Sequence, residues 1–218
     1  MGPEESKAGA VTAPATEGKS HMRRWVALAV VLALPILAIA ADEKAAGSKD
    51  APAFELKDTK GTAHKLEQYK DKIVVLEWTE PGCPFIVRHA KAQTLAKIAA
   101  DYKDKGVVVL GVCTSKNTDA AAMQKFMDEN KIAYPVLMDP TGSVGKSYHA
   151  TNTPQLFVIK GGKILYEGAI DDDPRGKNEK PVNYVRKALD EVLSGKAVSM
   201  PKTEPYGCSV KYPEGPAS

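Results

Sequence analysis

Ile73-Val74-Val75-Leu76-Glu77-Trp78-Thr79-Glu80-Pro81-Gly82-Cys83-Pro84-Phe85-Ile86 is the stretch that decides the fold. Five of its first six residues are apolar, three of those are β-branched, and the run is too short for a helix, so it reads as a buried strand. After Pro84 the spacing changes. Ile86, Ala90, Ile98 and Tyr102 share one helical face and Gly106 supplies a stop, which predicts a helix over 84–104. Pro84 lacks an N–H and pre-sets φ, so it suits the first helical turn. Cys83 then stands as an N-cap-like residue with free N–H groups pointing at its sulfur. Together with the helix dipole they lower a thiol pKa and favour the reactive thiolate. The rival reading is a buried, inert cysteine behaving as a small hydrophobe. Pro-Gly-Cys-Pro is not core-strand composition, which favours the reactive reading. Position 86 is Ile, so no second cysteine sits in the turn.

Strands and helices alternate outward from this turn. Ala53–Leu56 reads as a short strand, with a turn at Lys60-Gly61. Val107–Val112 is a second buried strand. Asn117 or Thr118 caps a helix over 119–130 that turns Met123, Phe126 and Met127 inward. Tyr134–Met138 is short and extended. Thr153–Ile159 and Lys163–Ala169 are strands joined by a Gly161-Gly162 hairpin turn, and Asn183–Leu193 is the last helix. Two βα units followed by a hairpin and a helix imply an α/β fold, a mixed central sheet with helices on both faces.

Three features resemble the thioredoxin superfamily over residues 50–195, in particular its redoxin and exported thioredoxin-like branch. They are Trp78…Pro81-x-Cys83-Pro84 at a strand end, Thr153-Pro154 opening a strand, and the hairpin-plus-helix ending. The resemblance implies a thioredoxin fold with an inserted strand–helix unit, Val107 to Asn130. It implies a cis Pro154 facing the Cys83 sulfur, with Thr153, Trp78, Pro84 and Phe85 lining the place where a partner docks. The expected activity is thiol–disulfide exchange with protein thiols or disulfides, with no cofactor and no metal.

A single cysteine in the turn needs a resolving thiol from elsewhere. The chain has three cysteines, and sequence alone allows three pairings. Cys208 lies in a Pro- and Gly-containing tail, residues 196–218, long enough to fold back over the domain. Cys83-Pro84-Phe85 with Tyr206-Gly207-Cys208 also resembles exported thioredoxin-like proteins that carry both segments, which implies a Cys83–Cys208 pair. Cys113 ends the second buried strand, at the sheet edge where ligand sites gather, and is either a second candidate or a structural cysteine. Glu77 is a candidate proton acceptor, since a carboxylate among apolar neighbours has a raised pKa. His89 with Cys83 could form a loose copper site, or be a hydrogen-bonded helix residue. Arg88 could lend charge or lie exposed, and His149 could border the site. Asp171-Asp172-Asp173-Pro174 reads as a solvated loop or a cation site. His64 and His21 carry no context. A thiol peroxidase is the alternative activity. Peroxiredoxins place a Thr three residues before their reactive cysteine, where this chain has Glu80, and they lack the Thr-Pro. A non-catalytic partner- or copper-binding protein is the other alternative, since a fold alone does not establish an activity.

The beginning of the chain reads as targeting. Ser20-His21-Met22 looks like a cloning junction, making residues 1–21 a tag. From Met22, Arg23 and Arg24 precede an apolar run ending in Ala38-Ile39-Ala40, the pattern of a signal peptide over 22–40. An uncleaved membrane anchor is the rival reading, although Pro35 interrupts a short span. Residues 41–50 read as a linker and 51–195 as one domain. The expected location is periplasmic or secreted, where thiols tend to pair. The net charge of +3 is too small to argue for nucleic acid, and Lys and Asp/Glu are mixed as on a solvated surface.

Overall fold

The computed structural model describes residues 48–214, together with the isolated Gly2. The tag and signal readings, and most of the linker, lie outside the described residues. In chain order the elements are β1 (Lys49–Asp50), β2 (Glu55–Asp58), β3 (Ala63–Lys65), β4 (Ile73–Trp78), α1 (Pro84–Lys91), α2 (Thr94–Tyr102), β5 (Val107–Cys113), α3 (Ala120–Glu129), β6 (Val136–Met138), α4 (Ser143–Ser147), β7 (Asn152–Thr153), β8 (Gln155–Lys160), β9 (Lys163–Gly168), α5 (Tyr184–Leu193) and β10 (Cys208–Ser209). Eight strands form one sheet in the order β1-β9-β8-β4-β5-β6-β2-β3. β4, β5 and β6 run parallel, whereas β8 and β9 are antiparallel additions. The expected mixed sheet is therefore present, with the strand–helix unit β5–α3 between the Cys83 turn and Pro154. Lys49–Asp50, at the end of the stretch read as a linker, pairs with β9 and so belongs to the sheet edge.

β4 is buried along its whole length because both of its faces are covered. The pleat sends Ile73 and Val75 to one cluster, with Ile86, Leu95, Ile98, Met123, Val185 and Leu189 from α1, α2, α3 and α5. It sends Val74, Leu76 and Trp78 to the other, with Val144 and Tyr148 around α4 and Val210 from the tail. Helices thus cover both faces, though four of the five lie on the Cys83 side.

Two local expectations are corrected. The helix expected over 84–104 breaks at Gln93, which takes a left-handed conformation (φ 58°) between α1 and α2. Its amide donates to Ala90 O and Asn130 O, both at 2.6 Å, and so fixes the bend. The cap of α3 is Asp119, not Asn117 or Thr118. The Asp119 carboxylate accepts the Ala122 N–H at 2.8 Å, while the Thr118 hydroxyl is committed to Glu80 at 2.6 Å.

Residues 201–211 of the tail are tied down by backbone bonds. Pro201 to Thr203 run beside β9, with Glu167 N–H donating to Pro201 O (2.9 Å) and Thr203 N–H to Glu167 O (3.1 Å). Beyond this strap the chain crosses to the other side of the Cys83 turn. There β10 pairs antiparallel with β7, with Cys208 opposite Thr153. Among the described residues no helix is long and apolar enough to cross a membrane.

Candidate active site

The end of β4 and the start of α1 place Cys83 as the sequence predicts. It is the N-cap of α1, with extended backbone (φ −86°, ψ 119°) and Pro84 at the first helical position. Thr153–Pro154 is a cis peptide bond, and the Cys83 thiol donates to the Thr153 carbonyl at 3.0 Å. The Cys83 side chain is wholly inaccessible to solvent. Burial pushes its thiol up. Hydrogen bonds from the Cys208 thiol, from Thr153 and from the Ile86 and Cys208 backbone outweigh that, and hold Cys83 below the ordinary cysteine value. The Ile86 contribution is the helix N-terminus acting on the sulfur, as expected for this position.

The long-range partner is Cys208. The register of β10 on β7 sets Cys208 opposite Thr153, the residue whose carbonyl accepts the Cys83 thiol, and both sulfurs are free thiols here. Burial first, then its bond to Cys83 and the charge there, push Cys208 up to about 11. The two cysteines are therefore differentiated, Cys83 tending to thiolate and Cys208 to protonated donor. Cys113 belongs to the same buried cluster as Cys83. Burial, then Glu80 and Asp139, push its thiol far above the ordinary range, which makes it the less reactive of the two candidates.

Behind the turn, Glu77 shares the Cys83 face of β4 and is almost wholly buried. Tyr134 donates to its carboxylate at 3.0 Å. Burial nevertheless raises Glu77 to about 7, against the smaller opposing effect of that bond. Glu80, in the turn itself, accepts from Thr118 with one oxygen and has the other buried without a partner.

Two expected docking residues separate. Pro84 is exposed and Phe85 half-buried at the surface of the turn. Trp78 is a correction: it is fully buried and packs on the opposite face of the sheet, with Tyr148 and Phe157 ring centroids both 5.2 Å away. Its indole N–H donates to Thr114 at 3.2 Å. The pleat sends residue 78 away from the Cys83 side, so Trp78 packs the end of β4 and offers no exposed surface for docking.

A polar cluster that the sequence did not reveal fixes the tail. Tyr206, two residues before Cys208, packs on Phe85, two residues after Cys83, with ring centroids 5.9 Å apart. Its hydroxyl donates to Asp171 and lies 3.0 Å from His89 Nε2. Arg88 donates to Asp173 O at 2.9 Å, to Pro174 O at 3.0 Å and to Tyr206 at 3.3 Å. The other His89 nitrogen contacts Thr94 at 3.2 Å. Both ring nitrogens are thereby engaged, and desolvation, with Arg88 beside it, lowers the His89 pKa. Asp171 and Asp173 are buried rather than solvated. Asp173 accepts the Lys177 and Asn178 N–H groups, each at 3.0 Å. Among the described residues no three His, Cys, Asp or Glu side chains converge as a metal site. His149 is exposed in a left-handed turn after α4.

With this geometry in view, the AhpC/TSA family profile matches residues 48–167. A thiol-disulfide oxidoreductase ResA of Bacillus thuringiensis subsp. konkukian is 28% identical over 127 residues, covering 58% of this chain and 71% of that one. The crystal structure of an uncharacterized conserved protein from Geobacillus kaustophilus matches with a TM-score of 0.71 at 30% identity, covering 78% and 93%. A thiol:disulfide interchange protein DsbE from Chlorobium tepidum matches with a TM-score of 0.52 at 22% identity, covering 70% and 97%. The fold is the thioredoxin fold.

Proposed function

The chain belongs to the AhpC/TSA family, and we propose that it is an exported thiol–disulfide oxidoreductase with Cys83 as nucleophile and Cys208 as resolving thiol. One observation carries this reading. The Cys208 strand pairs with Thr153, whose carbonyl accepts the Cys83 thiol, and the Cys83 pKa is lowered while that of Cys208 is raised. The similarity to proteins named thiol-disulfide oxidoreductase supports the same chemistry. The signal-like pattern over residues 22–40 supports export.

The Cys83 thiolate attacks one sulfur of a partner disulfide, forms a mixed disulfide and releases the other partner sulfur as thiolate. Cys208 then passes its proton to Glu77 and as thiolate attacks the Cys83 sulfur, breaking the mixed disulfide. A Cys83–Cys208 disulfide results and the second partner thiol leaves. The partner is reduced by two electrons and the cysteine pair is oxidised by two; the reverse sequence oxidises a partner dithiol. Glu77, poised near neutrality on the same face, is the proton acceptor of this reading. Thr153 and cis-Pro154 offer the backbone edge for an extended partner chain, beside Pro84 and Phe85.

The peroxidase reading draws on the family match alone and has Glu80 where peroxiredoxins place Thr. A copper site at Cys83 and His89 has no free ring nitrogen to use. The test is peptide mapping of the air-oxidised protein without reductant, combined with thiol labelling at neutral pH. A Cys83–Cys208 disulfide and rapid Cys83 labelling after reduction are expected. A Cys83 that stays free on oxidation and unreactive on labelling defeats the reading.

A further inference from the structure

The Cys83 sulfur is sealed by the chain's own C-terminal segment. β10 lies on the β7 edge with Cys208 opposite Thr153, the edge that an extended partner would use. The strand pairing is held by one main-chain bond outside the ladder and by two side-chain donors of the β7 edge. Val210 N–H donates to Thr151 O at 2.9 Å, the Asn152 amide to Gly207 O at 3.2 Å, and the Thr153 hydroxyl to Cys208 O at 3.3 Å. Lys116 N–H donates to Lys211 O at 2.9 Å on the far side. Three successive positions of the segment are specified. At 206 an aromatic ring packs on Phe85. At 207 the backbone has φ +113°, and a Cβ would run into the Thr153 carbonyl, so only glycine fits. At 208 a thiol meets the nucleophile.

We propose that residues 206–210 are an internal stand-in for the partner strand, and that they must leave the β7 edge before Cys83 can react with a partner. The partner segment that takes their place is an extended chain in which an aromatic residue and a glycine immediately precede the reacting cysteine. This rests on the reading of Cys83 as a nucleophile, and deepens it by naming what docks.

The experiment uses the full chain carrying Cys208→Ser, with and without Tyr206→Ala, which removes both the ring on Phe85 and the buried hydroxyl. The probe is a synthetic Glu-Pro-Tyr-Gly-Cys-Ser-Val-Lys-Tyr peptide whose cysteine carries a 2-nitro-5-thiobenzoate leaving group, so attack by Cys83 releases a coloured thiolate. A second peptide has Val in place of Gly, and monobromobimane reports the intrinsic reactivity of Cys83. Releasing the strand is expected to speed capture of the Gly peptide at least about tenfold. The Gly peptide is also expected to react at least about tenfold faster than the Val peptide, a preference of about one strained contact. Gly207→Val in the Cys208→Ser background keeps Tyr206 and is expected to give the same acceleration, which guards against misfolding of the first variant. Equal capture rates with and without release overturn the proposal, as do equal rates for the two peptides. Cys83 inert even to monobromobimane overturns instead the nucleophile reading beneath it. Capture of the Gly peptide that weakens as protein concentration rises makes the occupant a second copy's tail, and overturns the assignment to a partner chain.

Discussion

Glu77 offers a prediction with a worked magnitude. Its carboxyl is raised from 4.5 to about 7 by burial. Below the lower value it is protonated in both the folded and unfolded chains and costs nothing. Between about 4.5 and 7 the folded protein holds a proton that the unfolded chain has released, so stability falls as pH rises. Above about 7 the folded protein carries a buried charge and the full penalty is in place. The difference between the two values corresponds to about 3 kcal/mol. Glu77→Gln keeps an acceptor for the Tyr134 hydroxyl and removes the charge. The variant is therefore expected to match the wild type near pH 4 and to exceed it by about 3 kcal/mol near pH 8. For a domain of this size that is a rise of roughly 6–12 °C in Tm. Thermal unfolding of both proteins from pH 4 to pH 8 measures it. A stability difference that does not change with pH would refute the account of Glu77 as a buried, near-neutral acid.

Other expectations follow from the same contacts. Cys113, whose thiol burial holds far above the ordinary range, is expected to resist iodoacetamide at neutral pH until the chain is unfolded; labelling in the folded protein contradicts this. Tyr206→Phe removes the hydroxyl shared by Asp171 and His89, and should weaken closure of a Cys83–Cys208 disulfide against glutathione by up to about 100-fold. An unchanged closure constant would mean that the polar cluster does not position the tail. Gly168 has φ +144°, and a Cβ there would run into the Thr203 carbonyl. Gly168→Ala is therefore expected to cost about 2 kcal/mol or more in a denaturant melt, and a neutral result would contradict the packing of the strap on β9.

What could be read from the sequence was local. The run Ile73–Trp78 and the Pro84 start of α1 each carry their reason within a few residues, so β4 and Cys83 were expected from local chemistry, whereas the cis bond at Pro154 was expected only from the family resemblance. The break at Gln93 was hidden because the apolar spacing of Ile86, Ala90, Ile98 and Tyr102 runs through it, and the bend depends on Asn130, far along the chain. Trp78 was misassigned for a different reason. Its position in the motif suggested a docking surface, whereas the alternation of β4 sends its ring to the opposite core. The latch of Tyr206 on His89 and Asp171 joins residues from three distant segments, and no periodicity announces such a contact. A tyrosine two residues before the tail cysteine, and a histidine on the inner face of α1, were the only traces.

The strap that holds Thr203 against β9 determines how the tail competes. Only a few residues separate that fixed point from Cys208, so Cys208 never diffuses far from Cys83. Short tethers of this kind give effective local concentrations in the millimolar range. A free cysteine-bearing chain at micromolar concentration thus starts about a thousandfold behind the tethered one for the same edge. If the tail is the stand-in proposed above, a partner must add contacts beyond the edge, or trap Cys83 covalently during a brief opening, to overcome that handicap.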